Sequence, residues 1–241
     1  MKRNRMLMVG ALLCCVAMGA AQQKAASAVK SGNSAEMDHV LDAMDKASAN
    51  FKTTEAEFVW DQYSKVVDEH DLQKGVVYYR KNGKNVEMAA DIQQPSKKYV
   101  LFTNGKVQVY QPEIEQITEY CAGKNKADFE SFLVLGFGGS GHELAKQFDV
   151  TYGGMETVEG NKAAKLVLAP KAQKVRNMFS QIILWIDPAR GISVQQEFVE
   201  PSGDYRLAKY SNVKLNQNLA GDVFKMKTTG KTKTVRPQGS C

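Results

Sequence analysis

The chain has little of what enzymes, metalloproteins and membrane proteins need. It has three histidines, His39, His70 and His142, which lie far apart without the spacing of a metal site. No serine stands in a GxSxG turn, and Cys121 has no catalytic base near it in the sequence. After the first residues, no apolar run is long enough to cross a bilayer. We therefore expect neither an enzyme nor a bound cofactor or metal.

One glycine-rich motif does resemble a cofactor signature. The segment Gly136–Gly141 spells GxGxxG between an apolar helical region, Lys126–Leu135, and a possible short helix, Gly141–Gln147. A dinucleotide fingerprint also needs a parallel βαβ unit, and the strands after Phe148 are patterned as antiparallel hairpins. We interpret the glycines as a flexible hinge and keep dinucleotide binding as the minor alternative.

The first residues predict export. Lys2, Arg3 and Arg5 precede a short apolar run, Met6–Met18, and small residues follow up to Ala21. This pattern is typical of a cleavable secretory signal. We expect cleavage near residue 21, a soluble product and, from the bacterial character of the signal, a periplasmic location.

The charge balance argues against nucleic acid. Removing the three signal bases leaves 29 basic against 26 acidic residues, and many of the remaining bases lie in the tail between Lys225 and Arg236. The tail is either solvated and partly disordered or a docking strip for an acidic partner. Only Cys121 and Cys241 follow the signal, and spacing alone leaves their pairing open.

The remaining pattern is one helix followed by many strands. Apolar residues recur at helical spacing over 35–50, after a leader, 22–33, that we expect to be flexible. Short apolar runs joined by turns such as Asn104-Gly105 predict about eleven strands in an antiparallel barrel or curved sheet. Met178–Ile186 is apolar on both faces and should be a central strand.

The strands expose more apolar surface than two short helices can cover. Leaving several such side chains in water would cost many kcal/mol at about 25 cal/mol per Å². Either the sheet curls into an ordinary core, or part of its concave face is a cavity for an apolar guest. Met37 and Met44 on the first helix suit a surface that repacks against varied guests.

Four stretches carry a family resemblance. Val76–Met88, Lys98–Thr118, Lys165–Lys171 and Ile183–Phe198 resemble, in order and spacing, the LolA-like periplasmic carriers of outer-membrane lipoproteins. The resemblance implies an incomplete, half-open antiparallel β-barrel with a helical lid over a hydrophobic cavity. It divides the chain into a signal (1–21), a leader (22–33), a carrier domain (34–228) and a basic tail (229–241).

The resemblance also implies a cycle without covalent chemistry. Such a carrier takes acylated lipoproteins from an inner-membrane ABC transporter complex, shields their acyl chains across the periplasm and delivers them to an outer-membrane receptor. We expect a monomer. A binder of other envelope lipids, or an envelope-stress sensor on the same scaffold, is the alternative.

Family members hold the lid shut partly through an arginine on the second strand. Arg80 occupies that position, and the even residues of its strand are expected to face inward. Lys81 and Lys84 depart from the family pattern of proline and an apolar residue, so we expect a more polar cavity rim. The residues expected to line the cavity and lid are Val40, Met44, Phe58, Trp60, Tyr78, Val86, Met88, Leu101, Phe132 and Leu133.

Overall fold

The protein is described here from a computed structural model. The structure describes residues 19–82, 85–121 and 135–237, with side chains from residue 34 onward except at residue 82. The predicted helical region 126–135, with Phe132 and Leu133, thus lies almost wholly outside the described residues.

The described chain folds into one long sheet with few helices. The helices are α1 (Gly19–Asn50), α2 (Gly141–Gln147), α3 (Gln173–Arg176) and a 3-10 turn (Pro112–Ile114). The strands are β1 (Thr53–Ser64), β2 (Glu69–Asn82), β3 (Asn85–Gln94), β4 (Lys98–Thr103), β5 (Lys106–Gln111), β6 (Gln116–Cys121), β7 (Phe148–Val158), β8 (Asn161–Pro170), β9 (Gln181–Asp187), β10 (Ile192–Val199), β11 (Tyr205–Leu215) and β12 (Lys233–Val235).

The sheet is an open half-barrel, as the sequence predicts. Its strand order is β12-β6-β5-β4-β3-β2-β1-β11-β10-β9-β8-β7, and the two end strands do not pair with each other. Neighbours are antiparallel except β12, which lies parallel to β6. The Asn104-Gly105 turn has φ values of 53° and 76°, the left-handed conformations that such a hairpin requires. The half-open antiparallel barrel is thereby confirmed, with twelve strands in place of about eleven.

The core lies on both faces of the sheet. On β9, Ile182, Leu184 and Ile186 are fully buried on the concave face, while Ile183 and Trp185 are buried on the outer face. This two-sided burial confirms the prediction of a central, doubly covered strand. Side chains alternate along a strand, so apolar residues in both registers are needed wherever both faces are covered.

The concave face is divided into two apolar clusters. The first joins α1 and α2 to β7, β8 and β9, and α1 contacts α2 and β7 directly. The second joins β1, β2, β3 and β10 around Phe51 and Phe137. Helix α1 therefore lies over one half of the sheet.

The chain after β11 forms a strap across the outer face. We call residues 216–237 the strap: it covers the outer face of β3 and β4 and ends as β12 beside β6. Phe224 is buried against Ala89 and Leu101, and Arg236 donates to Glu119 of β6 at 2.8 Å. The apolar residues that cover the outer face lie at 219–226, whereas residues 229–237, the described part of the basic tail, are largely exposed and join the sheet through β12.

Both chain ends differ from the expected segment boundaries. The backbone of α1 begins at Gly19, so the leader expected to be flexible (22–33) is a continuation of the helix. Alanine, lysine and glutamine in this stretch are strong helix formers, which accounts for the extension.

None of the helices in the described residues is both long and apolar enough to cross a membrane.

Candidate functional site

Helix α1 seals one half of the concave face. Val40 and Met44 are 2% and 1% exposed and pack on the inward rows of β8 and β9. Leu144 of α2 and Phe148 at the start of β7 complete the same cluster. This half of the sheet is a closed apolar core with α1 as its cover.

A single aromatic residue fills the centre of the concave face. Phe137 is fully buried; its ring stacks on Tyr79 at 5.3 Å between centroids and meets the edge of Tyr210 at 4.6 Å. Burial raises the pKa of Tyr79 to about 12, so its hydroxyl stays protonated in this apolar setting. We call Phe137 the plug, because it occupies the hollow of the sheet with a side chain from a loop.

The loop that carries the plug can approach the sheet only because it is rich in glycine. A Cβ at Gly136, where φ is +80°, would lie 2.3 Å from the Cβ of Ser193, and one at Gly138 would lie 2.7 Å from the Phe51 ring. The backbone N–H of Ser193 donates to the carbonyl of Gly136 at 2.7 Å. The glycines of the GxGxxG motif therefore allow the loop to pack closely against the sheet.

A hydrogen-bonded cluster fastens α1 to the same loop. We call Asp45, Ser48, Gly138, Ser140 and His142 the latch. The Ser48 hydroxyl donates to the Gly138 carbonyl at 2.6 Å, and the Ser140 hydroxyl donates to Asp45 Oδ1 at 2.6 Å. His142 Nδ1 lies 2.6 Å from Asp45 Oδ2, and the backbone N–H of His142 lies 3.2 Å from Asp45 Oδ1.

The electrostatics of the latch favour its charged form. Burial opposes ionisation of Asp45, but hydrogen bonds from Ser140 and His142 outweigh it, and the net pKa of Asp45 is lowered. The hydrogen bond to Asp45 raises the pKa of His142 above its usual 6.5, with further support from Asp42 and Asp38. The latch is thus strongest when His142 is protonated and Asp45 is ionised.

The same residues bear on metal binding. The possible ligand atoms of Asp42, Asp45 and His142 lie within 4.8 Å of one another. Asp45 already accepts three hydrogen bonds, and all three side chains are partly or largely exposed. We interpret this group as an ion pair between α1 and the loop.

The other half of the concave face is apolar but incompletely covered. Cross-strand partners share a face, so the registers place one inward row across five strands, β2 to β6: Tyr79, Met88, Phe102, Val107 and Tyr120. Beside it, Val100 pairs with Val109. Phe102 is fully buried, whereas Met88, Val100, Val107 and Val109 are half-buried and Tyr120 is 40% exposed.

A cleft opens along α1 at the boundary between the halves. Its volume is about 390 Å³, and it lies between α1 and the turn that joins β9 to β10. Ala47, Phe51, Ile192 and Leu215 form its apolar floor, which is part of the second cluster. Gly138, the residue after the plug, also lines the cleft.

Known families account for this arrangement. The family model described as "Outer membrane lipoprotein carrier protein LolA" matches residues 49–227. The chain belongs to this LolA family. No curated protein sequence matches the chain.

Solved structures resemble the chain at low identity, and two of them share its fold with TM-scores above 0.5. An uncharacterised conserved protein from Thermus thermophilus is 16% identical with a TM-score of 0.53, over 83% of this chain and 98% of that one. MucB is 14% identical with a TM-score of 0.51, over 80% of this chain and 63% of that one. A LolA superfamily protein from Nitrosomonas europaea is 13% identical with a TM-score of 0.39, over 78% and 96% of the two chains.

Among the described residues, the expected contact between Arg80 and a helical lid is not found. Arg80 Nε donates to Glu87 at 2.7 Å, and the guanidinium lies 4.2 Å from the Phe224 ring centroid, on the strap side of the sheet. The predicted parity of β2 is wrong, because Val77 and Tyr79 face the hollow. Helix α1 is fastened by the latch.

Two predicted cavity residues share this correction. Tyr78 and Leu101 pack in the outer cluster beneath the strap and do not line the hollow. The other described residues of the predicted set lie on the concave side: Val40, Met44, Phe58, Trp60, Val86 and Met88.

Sequence reasoning missed the plug and the latch. The spacing of His142 indicates no metal site, and the glycines around Phe137 predict a hinge, with dinucleotide binding as the minor alternative; neither pattern indicates a contact with α1. One signal was available: Ser140 and Glu143 form the capping pattern of a helix start, and Ser140 does cap α2 by accepting from the Glu143 N–H. Asp45 and Ser48, the partners on α1, are 90 or more residues away in the chain, so the local sequence pattern does not predict these contacts.

Proposed function

We propose that this LolA-family chain is a periplasmic carrier that shields the acyl chains of lipoproteins and moves them from the inner to the outer membrane. One observation supports the proposal most directly. The concave row on β3–β6 is apolar yet half-buried, whereas the row under α1 is sealed. Exposed apolar surface of this kind marks a site for an apolar guest.

In this proposal the acyl chains lie against Met88, Val100, Val107 and Val109. They enter along the cleft beneath α1 and take the place of the plug. Loading then sacrifices the latch hydrogen bonds, each worth about 1 kcal/mol net. Burial of hydrocarbon offsets this loss, at about 0.8 kcal/mol per buried CH₂. A carrier balanced in this way can both load and release.

The partners follow from the same role. The donor is an inner-membrane lipoprotein-releasing ABC transporter complex and the acceptor is an outer-membrane receptor. Delivery of a passenger by contact with two membranes calls for a monomer. No covalent step is involved, so the protein acts without a catalytic residue.

The guest surface is tested by a pair of variants on one hairpin. Val107→Asn with Val109→Asn puts two amides into the hollow, while Ile114→Asn makes the same kind of change at an exposed apolar residue outside it. Losing two apolar contacts of about 1 kcal/mol each should weaken binding of a dansylated tripalmitoyl lipopeptide roughly 30-fold. The Ile114→Asn control should bind within about twofold of the parent, and equal affinities for all three proteins would refute the site.

The identity of the guest is tested by isolation from the envelope. Mass spectrometry of the gently purified protein should show an N-terminally acylated peptide. Free lipid alone would favour a binder of other envelope lipids. No copurifying lipid, together with normal lipoprotein transfer in a depletion strain, would contradict the carrier role.

A further inference from the structure

The outer face carries a second concavity, unrelated to the hollow of the sheet. A pocket of about 290 Å³ lies between the strap and strands β2–β5. Three tyrosines, Tyr78, Tyr99 and Tyr110, form its apolar wall, and Val223 of the strap faces them. Tyr99 donates its hydroxyl to the Val223 carbonyl, which holds the strap at the pocket wall.

The rim of this pocket is basic. Lys97 ends the turn between β3 and β4, Lys98 is the first residue of β4, and Lys225 and Lys227 come from the strap. Asp222 is the partner of Lys227 at 2.6 Å, and Asp91 is the other acid of the lining. The four lysines thus outnumber the two aspartates.

Much of this positive charge lacks a partner within the fold. Among the described residues, the ammonium groups of Lys97, Lys98 and Lys225 make no ion pair, and neither do those of Lys231 and Lys233 farther along the strap. Burial raises the pKa of Tyr99 to about 12, so the wall adds no phenolate charge to oppose this field. A rim of like charges repels itself, and an acidic partner would relieve that repulsion.

We propose that this pocket docks an acidic segment of a partner protein, with one apolar or aromatic side chain of that segment inserted among the tyrosines. The concavity favours a protruding side chain over a flat membrane, and the unpaired lysines favour carboxylates on either side of it. The surface is on the opposite side of the sheet from the hollow. Docking is therefore independent of whether the hollow carries acyl chains.

The test uses a fluorescein-labelled peptide in which one phenylalanine is flanked by glutamates. Fluorescence anisotropy should show binding that weakens as salt rises. Lys97→Glu with Lys225→Glu should weaken binding at least tenfold, because two favourable contacts become repulsive. Lys162→Glu, at the exposed start of β8, is the matched control and should leave binding unchanged within about twofold.

Two further measurements separate the alternatives. Replacing the phenylalanine of the probe by serine should weaken binding at least tenfold, whereas equal binding would show charge attraction without use of the pocket. Phosphatidylglycerol vesicles should compete poorly with the peptide. Absence of peptide binding, equal binding by the double variant, or preference for vesicles would each overturn the proposal. Lipopeptide binding in the hollow should be unchanged throughout.

Discussion

Removing the plug should separate its structural role from its competition with a guest. Phe137→Ala deletes a fully buried ring that contacts Tyr79 and Tyr210. Such deletions cost about 3–5 kcal/mol, and the glycine-rich loop can collapse partly into the space. We expect a loss near 3 kcal/mol in the free energy of unfolding of the empty protein. The same change clears the hollow, so the affinity for a dansylated fatty acid should rise.

The assay is urea unfolding followed by circular dichroism, with and without the fatty acid. A guest at about one hundred times its Kd adds about 2.7 kcal/mol, which should restore most of the lost stability. Phe224→Ala is the matched control, since Phe224 is also buried but lies beneath the strap. It should destabilise the protein without a gain in affinity. Equal guest affinity in the two variants, or a loss below about 1 kcal/mol in Phe137→Ala, would refute the competition.

Two more predictions concern the latch and Arg80. A raised pKa means that the His142 contribution to stability is full below its ordinary value of 6.5 and is lost as pH rises through the raised value. Thermal midpoints of the parent should therefore fall over that interval, while Asp45→Asn should abolish that part of the pH dependence; parallel profiles would contradict the latch. Arg80→Leu should cost about 1 kcal/mol, because its ion pair with Glu87 is partly exposed. It should also speed proteolysis of the strap while lipopeptide release stays normal, and impaired release would instead support a lid contact.

The architecture was accessible from the sequence because its signals are local. The two residues Asn104 and Gly105 are enough to predict a hairpin. Apolar residues at both odd and even positions predict that β9 is covered on both faces. Family resemblance supplied the half-open barrel and the lid. Both the local sequence signals and the family resemblance can be recognised without knowledge of long-range contacts.

The local sequence pattern does not show which side chains of β2 face the hollow. Val76–Tyr79 is apolar or aromatic at every position, so alternation cannot tell the hollow from the outer face. Both faces are in fact covered, by the concave cluster and by the strap. The strap could not be predicted because Leu219, Val223 and Met226 recur at the spacing of a helix face, whereas the segment forms turns and irregular chain. Its covering role depends on where the chain travels after β11.

Unequal burial along the half-barrel also determines which strands open locally to solvent. Amide protons on β8 and β9, beneath fully buried neighbours, should exchange with solvent only through the largest openings of the molecule. Amide protons on β5, whose inward valines are half-buried, should exchange through small and frequent local openings. One flank of the sheet can then open locally while the other keeps the fold intact.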